Sequence, residues 1–142
     1  MKGDKIYAVI DTNVLVSSLF SIGGASNPSR VIEAVLNGYI TPVYNDDIIA
    51  EYRDVLSRDK FKFNSALIDD FLAIFIDFGI TSVPKKAYEE QFPDEDDIVF
   101  YEIALSIEDT YLVTGITKHF PVKPYVVTPT QMVEILRKKG FL

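Results

Sequence analysis

Short apolar runs alternate with amphipathic stretches along the whole chain, and this alternation limits the folds open to it more than any other feature. IYAVI (6–10), YITPVY (39–44), ITSV (80–83), TYLVTG (110–115) and YVVT (125–128) are rich in β-branched and aromatic residues and read as strands. Helical periodicity fills the intervals. Strands separated by helices pair in parallel through right-handed crossovers, and a strand that is apolar on both faces must be covered on both. The expected fold class is therefore α/β, a three-layer α/β/α arrangement with a mostly parallel central sheet. At 142 residues and 48% hydrophobic, with 10 Phe and 8 Tyr, the chain can fill one core and is short for two, so a single domain over 1–142 is expected.

Local signals place the helices. NVLVSSLF (13–20) follows a cluster of capping residues, and SRVIEAVLNG (29–38) carries Val31, Ile32, Val35 and Leu36 on one side, with Pro28 before it and Gly38 as its stop. NDDIIAEYRDVLSRD (45–59) has Asn45 as N-cap and a stripe of Ile48, Ile49, Tyr52, Val55 and Leu56. NSALIDDFLAIFIDFG (64–79) is a more apolar helix closed by Gly79. IVFYEIALSI (98–107) is apolar nearly all round and reads as buried, and Thr128 with Pro129 opens the last helix, PTQMVEILRKKG (129–140). SIGGASNPS (21–29) and PKKAYEEQFPDE (84–95) read as loops, and Pro42 argues against a central hydrogen-bonded place for its strand.

Composition narrows the chemistry. There is no cysteine and only His119, so any metal would be held by oxygen. A net charge of −7 argues against broad nonspecific binding to nucleic acid through a basic face, unless bound cations supply the positive charge that phosphate needs. MKGDK (1–5) leads directly into a strand, and no apolar stretch approaches the roughly 20 residues of a membrane span; a soluble cytoplasmic protein is expected.

Three groups of acids are candidates for a site. Asp11 ends the first strand, where it serves either as a helix cap or as a residue facing the carboxyl edge of the sheet, where ligands of such folds gather. Glu51 lies nearer the apolar stripe of its helix than Asp47 or Asp54 do, although the pattern alone favours an ordinary solvated acid. In PDEDD (93–97), complementing the helix dipole accounts for Asp94 and Glu95. Asp97 shares a face with Tyr101 and Ala104, and Asp96 with Phe100, Ile103 and Ile107; periodicity does not separate the two. Carboxylates converging in a crevice raise one another's pKa unless a cation neutralises them, and Mg²⁺ or Mn²⁺ prefers such hard ligands. Acids, water and a divalent ion suffice for phosphodiester hydrolysis.

VIDTNVLVSSLF (9–20), IIAEYRDVLSRDKF (48–61), PDEDDIVFYEIAL (93–105) ahead of TYLVTG, and VVTPTQMVEIL (126–136) occur in the order found in PIN domains. Over nearly its whole length the chain resembles that family, the nuclease fold of many prokaryotic toxin–antitoxin toxins, and within it the toxin-component subgroup. The resemblance implies a ribonuclease with one or two Mg²⁺ or Mn²⁺ ions. Its catalytic and metal-binding acids fall on Asp11, Glu51 and Asp97, with Asp96 as a helper. Asn13 matches the small polar residue that orients the first acid, and Thr114 lies at the lip of the same crevice. It also implies an RNA substrate and a restraining antitoxin protein; a homodimer is expected as well. One departure stands out: after LVTG most PIN nucleases carry another Asp, and here Ile116 and Lys118 occupy the region. Lys118 and His119 are positioned to meet a substrate phosphate instead, although for a lone His a loop or packing role is the commoner reading. The competing functions are a catalytically weak PIN scaffold that binds RNA or protein and, lower, a phosphoaspartate protein, for which IDTN lacks the second Asp.

Overall fold

The computed structural model describes residues 5–21, 24–87 and 90–142. Residues 1–4, 22–23 and 88–89 lie outside that description; they belong to the expected leading segment and to the two expected loops. The order of elements is β1 (Ile6–Ile10), α1 (Thr12–Phe20), α2 (Asn27–Leu36), β2 (Ile40–Tyr44), α3 (Asp46–Leu56), α4 (Ser65–Phe78), β3 (Ile80–Thr81), α5 (Ile98–Ser106), β4 (Thr110–Val113), β5 (Val126–Val127) and α6 (Pro129–Lys138). Short 3-10 turns cover Asp59–Phe61, Glu95–Asp97 and Thr117–His119.

All five strands are parallel and stand in the order β3-β2-β1-β4-β5. The chain steps outward from β1 to β3 on one side, then returns to lay β4 and β5 on the other. The reversal between β1 and β4 opens a crevice at the carboxyl edge, where open α/β sheets place their ligands. Helix α5 packs across β1, β2 and β4, while α2 packs on β2 with α1 and α6 beside it, giving the α/β/α layering expected. Val9, Ile10, Leu112 and Val113 are fully buried, as strands covered on both faces require.

Capping follows the sequence closely. Asn45 Oδ1 accepts from Ile48 N at 2.9 Å, Asn64 Oδ1 accepts from Leu67 N at 2.7 Å, and Thr128 forms a reciprocal capping box with Gln131. Gly38 takes φ 78 just after α2, the left-handed stop that glycine favours. Gly79 ends α4 differently, with extended backbone (φ −103). Glycine is needed there for space, because a Cβ would lie 2.5 Å from the carbonyl oxygens of both Phe75 and Pro42.

Pro42 is the main departure. Its strand is internal, flanked by β1 and β3, contrary to the expectation from its missing N–H. Backbone groups alternate sides along a strand. Tyr39 O accepts from Ile6 N on the β1 side, and Tyr44 O accepts from Ser82 N on the β3 side, so Pro42 faces β3. Pairing with β3 starts only at Val43, one residue later, so no ladder bond is lost. The strands expected at 80–83 and 125–128 shorten to two residues each.

Tyr52, fully buried on α3 against Phe75 and Phe100, donates its hydroxyl to Ile10 O, a carbonyl on the β2 side of β1 past the last paired residue, Ala8. This bond anchors the strand end that carries Asp11. Tyr52→Phe leaves that buried carbonyl unpaired and should cost about 1–3 kcal/mol, seen as a lower urea midpoint at unchanged slope. An unchanged midpoint would show that the carbonyl is satisfied without Tyr52.

Candidate active site

Asp11 emerges from β1 into the crevice with its backbone N donating to Val113 O at 2.9 Å, which ties it to the end of β4. The expected capping role is present. Oδ1 accepts from Thr12 N at 2.8 Å and so caps α1, while Oδ2 accepts from Thr114 Oγ1 at 2.8 Å and from Asn13 Nδ2 at 2.9 Å. Asn13 Oδ1 in turn accepts from Gly115 N at 2.9 Å, and Thr114 N donates to Val127 O at 2.9 Å. A Cβ at position 115 would sit 3.1 Å from Asn13 Oδ1, so glycine permits that close approach. One carboxylate thereby joins the ends of β1 and β4 to the start of α1, and Thr114 extends the link to β5. Asp11 is 5% exposed. Burial raises its pKa, and the bonds from Thr114, Thr12 and Asn13 pull it back.

Asp97 reaches the same crevice from the 3-10 turn before α5. Its side chain is 16% exposed whereas Asp96 is exposed, which separates two acids that spacing left equivalent, since Tyr101 and Ala104 on one face and Phe100 and Ile103 on the other are all buried. Burial, then the negative charges of Asp11 and Asp94, raise its pKa to about 6, with His119 acting in the opposite direction. Its Oδ2 lies 3.4 Å from His119 Nδ1, yet is buried without a hydrogen-bond donor. An anionic oxygen left unpaired in a partly buried place is costly.

Glu51 looks in from α3. It is half-buried, and burial followed by the charges of Asp96 and Asp54 raises its pKa. Asp96 is exposed on the same turn as Asp97, and Asp94 Oδ1 accepts from Asp96 N at 2.9 Å, so Asp94 caps that turn. The crevice thus brings Asp11 close to Asp97 and sets Glu51 against Asp96. Among the described residues, no three His, Cys, Asp or Glu side chains converge closely enough to hold a metal ion as they stand. The donors nevertheless fit a hard divalent cation: every one is a carboxylate oxygen, Asp97 and Glu51 are raised in part by neighbouring acids, and Asp97 Oδ2 lacks a partner. Asp11 and Asp97 would hold such an ion, with Glu51 and Asp96 within reach through water.

The remaining candidates divide. Thr114, fully buried, proves to be a direct donor to Asp11. Lys118 is exposed on the Thr117–His119 turn, and Ile116, 36% exposed, stands at the lip where another acid was expected. His119 is the residue that sequence reading undervalued. Its link to Asp97 spans two elements and leaves no periodic signal. A cavity of about 640 Å³ lies elsewhere, at the opposite edge of the sheet, lined by Ile6, Thr110 and Tyr125 among others.

A family model described as PIN domain matches residues 7–117, a span that holds Asp11, Glu51, Asp97 and Thr114. No curated protein and no solved structure matches the chain.

A pH effect follows from Asp97. Its carboxyl titrates at about 6 in the folded protein and near 4 when unfolded, so the folded state holds the proton more tightly. Stability is greatest below about pH 4 from this group, falls as pH rises to about 6, and is level above. In EDTA, the Tm of Asp97→Asn relative to the parent should climb across that interval and then hold. A difference that shrinks from pH 4 to 6 would contradict the raised value.

Proposed function

The chain belongs to the PIN-domain family, whose members are in general nucleases, and on that premise we propose that it is a Mg²⁺- or Mn²⁺-dependent ribonuclease. The observation that carries the reading is the pairing of Asp11 with Asp97 in the switch-point crevice, one carboxylate fully bonded and the other with an unpartnered oxygen. When bound, a divalent ion supplies an acidified water and neutralises charge on the phosphodiester. The protein's own groups do the rest. Thr12 N, Asn13 and Thr114 fix the orientation of Asp11, so its outward lone pairs are set before any ligand arrives. Glu51 and Asp96 form the opposite wall, and His119 holds Asp97 against the repulsion of Asp11. Lys118, exposed at the lip, is available to a substrate phosphate.

The sequence resemblance supports a cytoplasmic toxin restrained by an antitoxin, which would lay a segment with Arg over the acidic crevice. Exposed Ile76, Phe78 and Ile80, at the edge of the sheet, support a homodimer. No helix among the described residues is long and apolar enough to cross a membrane. A weakened scaffold that binds RNA or protein is the second reading, favoured by one observation: Ile116 stands exposed where an acid would complete the metal site.

End-labelled RNA incubated with Mn²⁺, Mg²⁺ or EDTA separates these. Metal-dependent cutting should leave 5′-phosphate and 3′-hydroxyl ends and fall at least about 100-fold in Asp11→Asn and Asp97→Asn. Cyclic phosphate ends would contradict the chemistry. A silent parent that is restored by Ile116→Asp would favour the scaffold.

A further inference from the structure

The segment RDKFKF (58–63) sets three cations and one acid, Asp59, beside two aromatic rings in a chain whose net charge is −7. Phe61 and Phe63 stack at 5.8 Å with 17° between their planes, and Phe20, at the end of α1, lies 5.8 and 5.0 Å from them. Lys62, between the stacked rings, has left-handed backbone (φ 58), and Lys60 Nζ sits 5.0 Å over the Phe61 ring. Phe20 is 64% exposed, and Lys60 and Lys62 are exposed and make no ion pair with a carboxylate among the described residues. Arg58 makes only a loose contact, 3.6 Å, with Asp54. Phe61 and Phe63 are half-buried, Phe63 against the core, and they back Phe20, whose ring is left exposed among the cations.

The patch is joined to the crevice by two helices. Asn13, Ser17 and Phe20 share one face of α1, which runs from the neighbour of Asp11 to the exposed ring over roughly 10 Å at 1.5 Å per residue. Helix α3 packs against α1 and leads from Glu51 to Arg58, close enough for Arg58 to act electrostatically on Glu51. Aromatic rings bind the faces of unpaired bases whatever their sequence, whereas a duplex hides those faces; adjacent cations take the backbone.

The geometry points to a single-stranded RNA subsite in which the exposed ring of Phe20, backed by Phe61 and Phe63, stacks an unpaired base and Arg58, Lys60 and Lys62 take the phosphates of the same strand. It rests on the ribonuclease reading and specifies its substrate as RNA that is unpaired where it is held beside α1. Three cations against one acid, beside the exposed ring of Phe20, suit a nucleic-acid strand, which offers phosphates and base faces together.

Fluorescence anisotropy with a labelled 12-nucleotide unstructured RNA in EDTA, beside the same RNA as a duplex, tests binding apart from cutting. Phe20→Ala removes an exposed ring, and Lys60→Gln with Lys62→Asn removes two charges while keeping a residue that tolerates left-handed backbone. Phe20→Ala should weaken single-strand binding about 5- to 100-fold, the double variant should lower the slope of log K on log salt by about 1.4, and duplex binding should be weaker throughout. Unchanged affinity in both variants, or no binding by the parent, overturns the subsite. So does a change in oligomeric state at unchanged RNA affinity, which would make the patch a protein contact. Cleavage is read separately: a parent that binds through Phe20 and cuts nothing sinks the nuclease reading and leaves the subsite standing.

Discussion

Everything at the carboxyl edge of the sheet depends on the carboxylate of Asp11. It caps α1 through Thr12 N, receives Thr114 from the end of β4 and Asn13 from its own helix, and the strand behind it is held by Tyr52. A charged group that is 5% exposed is tolerable only with such donors. The same bonds satisfy a structural need and orient an acid toward the crevice, so capping and chemistry are not alternatives at this position. The order β3-β2-β1-β4-β5 is what brings the partners together, since β1 and β4 are neighbours while the chain goes on from them to strands on opposite sides of the pair.

The other acids work against stability. Burial and mutual repulsion raise Asp97 and Glu51, and no donor pairs with Asp97 Oδ2. A fold selected for rigidity alone would neutralise or expose these groups, and clusters of this kind mark functional sites. Cation binding would relieve the repulsion and lend the ion's binding free energy to the folded state. At the other end of α1 and α3 the balance is reversed, with an exposed Phe20 ring and lysines that make no ion pair among the described residues.

Much of this was legible in the chain. The parallel α/β class followed from strand and helix alternation and the caps Asn45 and Thr128 from their residue types, whereas helical spacing set both Asp96 and Asp97 over buried residues and did not separate them. What could not be read depends on register between distant strands. Pro42 was a warning against an internal strand until the late start of β3 removed the conflict. His119 meets Asp97 only because the turn after β4 folds back beside the turn before α5. Glu51 looked like a solvated acid because Asp96, which faces it, is far along the sequence. The packing of distant rings is of the same kind: Phe20 and RDKFKF carry no mutual period.

The central claim is that the carboxylates at the β1–β4 switch point form a divalent-cation site. Paramagnetic resonance of free Mn²⁺ titrated with protein at pH 7 tests it most directly, with Asp11→Asn and Asp97→Asn alongside. Saturable binding by the parent, displaced by Mg²⁺ and weakened at least about 10-fold in each variant, is the predicted result. Equal binding by parent and variants, or none by the parent, would contradict it.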